Sequence, residues 1–276
     1  MKTIITHFYN EEFLLPWWLN HHKDIFDHGI LIDYASTDRS RAIIKDICPD
    51  WIVLHSKERD FGAEACDRQV TEIERNLKGW RIALNVTEFI VGNTNKLMSM
   101  TGICQYLLPS YKFYDWNPTG TLDKNLPLWH QLSRAISYKT NFYARRARSL
   151  HNFNDIIYDT GRHWDNYNCE EAVIFHFANC ISCPEMLNRR LQIQYKVPVT
   201  DLLRNYGWQH TNKFLFRSFI PWLSGQSISN SFLDAESLKK EFDLDASQIT
   251  DISKDIRKYT KLDDEQHWRL QQTVNL

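Results

Sequence analysis

Three short polar clusters end apolar runs in the first ninety residues, and their residue types could bind a phosphorylated ligand. Leu31-Ile32-Asp33-Tyr34-Ala35-Ser36-Thr37-Asp38 passes from an apolar run into a carboxylate and then a hydroxyl-acid turn. Asn10-Glu11-Glu12 lies upstream and Asn85-Val86-Thr87-Glu88-Phe89 downstream, each after its own apolar run. A carboxylate at a strand end, such as Asp33, accepts hydrogen bonds from a ribose or a base without unravelling the sheet, and strand tips are where open α/β sheets bind nucleotides. Each cluster also has a plainer role. Asn-Glu-Glu opens many ordinary helices, and Ser36-Thr37-Asp38 is sufficient by itself to cap one.

The elements that must position these clusters alternate. Thr3 to Phe8 reads as a strand, and Asn10 with Glu11 and Glu12 opens a helix that either stops at Leu15 or restarts at Pro16 and runs to His22. His28 to Tyr34 reads as a second strand, followed by a helix over Arg39 to Ile47. Trp51 to His55 reads as a third strand, and Trp80 to Val86 as a fourth. Between these last two, Glu64 to Leu77 is amphipathic, with Ala65, Val70, Ile73 and Leu77 inward, Asp67, Glu72 and Glu74 outward, and Gly79 at its end. Short connections and strict alternation predict a mostly parallel sheet flanked by helices. Further on, Lys112 to Trp116, Ser137 to Arg145 and Ala172 to Phe177 read as strands. Leu128 to Ala135, Pro184 to Tyr195, Ala235 to Glu241 and Ala246 to Tyr259 read as helices.

Composition narrows the classes. With 276 residues, 43% of them hydrophobic, the chain buries a core without crosslinks or metals. A net charge of -1 gives no global field to attract a polyanion, which excludes nucleic acid as a first partner. No run approaches the roughly 18 apolar residues of a membrane span, and the N-terminal run is too short for a secretory signal, so a soluble, cytoplasmic protein is expected. Six dispersed cysteines read as reduced thiols. Cys180 and Cys183 form one zinc-like knuckle, whereas structural zinc normally takes two.

The match from Ile32 through Ser40, the Asn10-Glu11 pair directly after the first strand, and the Leu84-to-Phe89 cluster resemble the nucleotide-sugar glycosyltransferases of family 2. The resemblance covers residues 3 to about 92 and, more loosely, 137 to 190. It implies a Rossmann-like GT-A domain over 1–195, with a helical C-terminal extension over 196–276 that offers a dimer contact. It also implies hexosyl transfer from a nucleoside diphosphate donor, a uridine diphosphate foremost, to a glycan or glycoside hydroxyl, with inversion. Asn10, Glu12, Asp33, Asp38, Arg68, Arg145 and Arg148 would then border the nucleotide. Asp165, Glu170 and Glu171 would lie where such enzymes carry the acidic base that takes the acceptor's proton.

One departure matters. The family usually has two aspartates, one residue apart, holding Mg2+ or Mn2+ against the diphosphate, and here Asn85 and Thr87 occupy those positions. Hard cations demand oxygen ligands, preferably charged, which leaves Glu88 as the anionic ligand. Three readings stay open: weak metal binding through Glu88 with help from a histidine such as His176, His151 or His163; a metal-free site with phosphate neutralised by Lys139, Arg145, Arg146, Arg148 or Arg162; or loss of catalysis, leaving a glycan- or protein-binding member of the fold. A nucleotidyltransferase of related fold would need a glycine-rich basic loop after the first strand, and Asn10-Glu11-Glu12 is neither. Trp116, Trp129 and Trp164 are candidates for lining an acceptor groove.

Overall fold

The computed structural model describes residues 1–114, 122–128, 136–139, 147–154, 156, 158, 161–164, 167–169, 171–177, 184–204 and 206. In chain order these form β1 (Lys2–Phe8), α1 (Leu15–His22), β2 (His28–Asp33), α2 (Ser40–Ile47), β3 (Ile52–His55), α3 (Ala63–Glu74), β4 (Trp80–Ala83) and β5 (Glu88–Gly92). There follow α4 (Thr94–Met98), β6 (Gln105–Leu108), β7 (Ser110–Tyr114), β8 (Ile136–Lys139), β9 (Arg148–His151), β10 (Ala172–His176), α5 (Pro184–Gln194) and α6 (Val199–Leu203). The helices expected over 235–241 and 246–259 lie outside the described residues, as does nearly all of that expected over 128–135.

Six strands make the first sheet in the order β3-β2-β1-β4-β9-β6. The first four are mutually parallel, and β9 joins β4 and β6 in antiparallel fashion. β1 carries the alternation that a sheet covered on both faces requires. Ile4 and Phe8 enter a core with Trp18, Leu19 and Ile44 from α1 and α2, and Ile5 enters another with Cys66 and Val70 from α3. Helices on both faces of a mostly parallel sheet give the expected Rossmann-like α/β fold of the GT-A kind.

Pro16 sits in the first turn of α1, where its missing N–H costs nothing. Of the two expected outcomes the helix therefore restarts there, and it ends at His22. β4 is shorter than expected. It stops at Ala83, and after a turn the chain leaves as β5 for a second sheet, ordered β5-β10-β7-β8. That departure puts Glu88 at the join of the two sheets, in register with His176.

The inward face of α3 also needs correction. Cys66, Gln69, Val70 and Glu74 are buried, with Glu74 only 2% exposed. A carboxylate read as outward turns inward because Tyr158 donates its hydroxyl proton to it at 2.9 and 3.0 Å from the two carboxylate oxygens, beside His151 and Arg81. At the other end of the sheet, a Cβ built on Gly29 would lie 2.0 Å from the Trp51 ring. Gly29→Ala is therefore expected to lower stability by about 1–3 kcal/mol through overpacking, measured by urea unfolding. An unchanged midpoint would show that Trp51 has room to move.

Candidate functional site

The chain runs β1 to β2 to β3 in one direction and then returns to place β4 on the far side of β1. The crevice beyond the C-terminal ends of β1 and β4 is thus a topological switch point, where open α/β sheets bind ligands. All three polar clusters read from the sequence lie at or beside this edge.

The first two clusters are zipped together. Asn10 adopts a left-handed conformation, φ 51°, which asparagine tolerates. Its side-chain oxygen accepts the N–H groups of Thr37 at 2.7 Å and Asp38 at 3.3 Å, while its own N–H donates to Ser36 Oγ at 3.0 Å. Glu11 N–H donates to Ser40 Oγ, Glu12 N–H to Asp38 Oδ2, and Arg39 N–H to Glu12 Oε2. Asp33, 1% exposed, accepts Ser36 N–H on one oxygen and pairs with Arg41 at 3.2 Å on the other. Asn10, Glu12, Asp33 and Asp38 are therefore brought together, and each already serves the turn. Glu11 is buried and paired with Arg189 of α5. Burial pushes its carboxyl up, against the pull of Arg189.

At the tip of β4 the carboxylate is also engaged. Glu88 and Arg148 are 2% and 1% exposed, and Arg148 Nε and Nη2 donate to Glu88 Oε1 at 3.1 and 2.7 Å. Glu88 Oε2 accepts the Asn85 N–H at 2.8 Å. Arg148 Nη1 donates to the carbonyls of Gly161 and Arg162. Arg162, φ 58° and 3% exposed, points Nη1 at Asp67 Oδ1 (2.7 Å) and Nη2 at Asn85 Oδ1 (3.3 Å) and His7 Nδ1 (3.4 Å).

This donor set does not fit a divalent cation. A hard cation needs free oxygen lone pairs. Glu88 Oε1 accepts two N–H groups of Arg148 and Oε2 accepts the Asn85 N–H, so the one carboxylate here is already neutralised by a guanidinium; the Asn85 oxygen accepts from another, and Thr87 is buried. Among the described residues no group of three His, Cys, Asp or Glu is placed to hold a metal.

Of the remaining expected residues, those described lie apart from this cluster. Arg68 is exposed and pairs with Glu58 at 3.0 Å, and Glu171 pairs with Lys96 at 2.8 Å on the surface. Asp165, Glu170, Arg145, Arg146, Trp116, Trp129, Cys180 and Cys183 lie outside the described residues. His151 is buried beside Glu74, away from the strand tips, and its imidazole is held down to about 4, chiefly by burial. Four described cysteines, Cys48, Cys66, Cys104 and Cys169, are free thiols, as expected.

Several residues at the edge are not among those the sequence singled out. Tyr34 stacks on Phe61 at 4.4 Å between ring centroids, His7 lies 5.5 Å from Phe61, and Tyr9 sits edge-on to it with Lys196 Nζ 4.4 Å from its own ring. These make an aromatic wall beside the β1 and β2 tips. The periodicity of α3 places Asp67 on its outward face, and only its pairing with Arg162, 95 positions away, marks it out. The alternation of β1 could have flagged His7, a polar residue at a face position next to the strand end.

No protein-family model matches the chain, and no curated protein matches it. Among solved structures it is similar to residues 1-349 of S. aureus TarS, at 11% identity over 87% of this chain and 77% of that one, with a TM-score of 0.36. The same protein in complex with UDP-GlcNAc gives 12% identity over 100% and 79%, TM-score 0.39. The inositol-1-phosphate CTP transferase from T. maritima gives 12% identity over 72% and 98%, TM-score 0.35. Likeness this distant leaves the roles of individual residues to the geometry.

Proposed function

We propose that this chain is a glycosyltransferase that moves a hexosyl group, with inversion, from a nucleoside diphosphate sugar, a uridine diphosphate donor foremost, to a glycan or glycoside hydroxyl. The observation that carries the reading is convergence: the Asn10 and Asp33 turns, Asn85 and His7 gather at the edge holding the β1/β4 switch point, beside an aromatic wall suited to a base. The sequence resemblance supplies the reaction class. In this reading Tyr9 stacks on the base, the Asn10 and Asp33 turns hold the nucleoside, and one of Asp165, Glu170 and Glu171 takes the acceptor proton. The engaged Glu88 favours a second reading, a non-catalytic member of the fold that binds a glycan or a protein.

Thermal-shift titration with uridine and guanosine diphosphates, with and without Mn2+, followed by assay of nucleotide release from a donor panel, separates the two. Stabilisation with turnover supports the enzyme. No effect of either nucleotide on stability removes the first reading and supports the second. Tyr9→Ala is expected to weaken uridine diphosphate by about 1–3 kcal/mol, the usual worth of base stacking. Unchanged affinity would take Tyr9 out of the site.

A further inference from the structure

The misfit of the β4 tip to a metal has a positive counterpart in what Arg162 does to its neighbours. A guanidinium has five N–H donors and no acceptor. Its contacts from Nη2 to Asn85 and His7 therefore fix the roles of both partners. The Asn85 carbonyl oxygen is the acceptor, so its amide N–H groups are left to donate. His7 Nδ1 is likewise the acceptor, so the ring proton sits on Nε2. Neither the Asn85 amide nitrogen nor His7 Nε2 has a hydrogen-bond partner among the described residues. Both side chains are half-buried, and both lie within 3.4 Å of one nitrogen atom.

The imidazole also stays neutral. Burial first, then the charges of Arg162 and Arg148, hold it well below the usual histidine range. Among the described residues, Arg162, Tyr34 and Phe61 pack against it, and no carboxylate is paired with the ring. Asp67 holds Arg162 from the other side at 2.7 Å, and the Nε of Arg162 is buried without a hydrogen-bond partner among the described residues. The side chain is thus seated by α3 and aimed at the tips of β1 and β4.

We propose that Arg162 is a positioning residue that presents the Asn85 amide and the His7 Nε2–H as a pair of donors for phosphate oxygens at the β1/β4 switch point, so that the site takes a diphosphate without a divalent cation. This deepens the transferase reading and rests on it only for the nucleoside attached to that diphosphate. The usual arrangement places acceptors here and bridges two sets of oxygens with a metal. Here the protein itself offers the donors, and Asp67 and Glu88 balance Arg162 and Arg148.

The test uses the full chain labelled with 15N. The His7 ring is expected to show the neutral Nε2–H tautomer near pH 7. Inorganic pyrophosphate in EDTA is expected to shift the His7 Nε2–H and Asn85 amide signals, and uridine diphosphate to bind equally well in EDTA and in Mn2+. Arg162→Met should scramble the His7 tautomer and weaken both ligands about tenfold or more. Asn85→Asp, whose folding is checked by its unfolding midpoint, turns a donor into an acceptor and should weaken pyrophosphate by a similar factor. A Nδ1–H tautomer, binding that requires Mn2+, or wild-type affinity in Asn85→Asp would overturn the proposal. Were uridine diphosphate to bind in neither buffer, the transferase reading would fall. The pyrophosphate shifts would then decide the donor pair alone, their presence upholding it and their absence overturning it.

Discussion

Exchanging Arg148 for methionine is expected to lower the unfolding free energy by about 3–5 kcal/mol, the loss that follows when one partner of a buried ion pair is removed. Glu88, 2% exposed, would be left charged beside an apolar side chain, and the carbonyls of Gly161 and Arg162 would lose their donor. Most of that loss is a penalty for stranding Glu88 rather than the worth of the pair. The double variant Glu88→Leu/Arg148→Met should therefore regain at least half of it, although the Asn85 N–H would then need water. Urea unfolding of the three proteins measures this. A single variant within about 1 kcal/mol of wild type would show that Arg148 is free for another task, the phosphate contact expected from its place in a basic run.

The second large effect is in the pH dependence of stability around Glu74. Burial pushes its carboxyl up from 4.5 to about 7, against the Tyr158 hydroxyl and the charges of Arg81 and Arg162. A raised acid contributes stability that is complete below about 4.5 and lost as the pH rises through about 7. His151, whose Nε2 lies 3.9 Å from Glu74 Oε1, is held down to about 4. Its contribution has the opposite sense, complete above 6.5 and lost toward 4. Between those limits the folded pair carries one proton, on Glu74, where the unfolded chain carries it on the histidine, and the two slopes cancel.

Glu74→Gln removes one of them. The variant should be more stable than wild type by about 3 kcal/mol at pH 8, at roughly 1.4 kcal/mol per pH unit. The advantage should vanish below about pH 4.5, leaving the histidine's acid lability exposed. His22, fully buried and also held well below its ordinary range by burial, adds to acid lability in both proteins. The readout is accordingly the difference between the two unfolding profiles. Parallel profiles from pH 4.5 to 8 would mean that Glu74 is ionised in the folded state.

The parts of the fold legible from the sequence are those that local physics determines. Pro16 at a helix start, the apolar alternation of β1 and the helix of residues 40–47 follow from backbone geometry and periodicity over a few residues. β5, α4 and β6 were not legible, because Phe89-Ile90-Val91 is a short apolar run that continues either a strand or a helix equally well. The site divides in the same way. That three polar clusters end strands along one edge was readable. The state of its charges was not, because Glu88 meets Arg148 across 60 positions and Asp67 meets Arg162 across 95. In a sequence such groups look like solvated surface, as Glu74 did.

The bonds that tie the turn after β1 to the turn after β2 join main-chain N–H groups on one side to single side-chain atoms on the other, Asn10 to Ser36, Glu11 to Ser40, Glu12 to Asp38 and Thr37 to Asn10. Such atom-by-atom matching has little slack. Adding or deleting a residue within 10–12 or 36–40 would put part of this set out of step. Homologous chains should therefore vary here by exchange of one cap for another and keep their length, while insertions collect in the segment between His22 and His28.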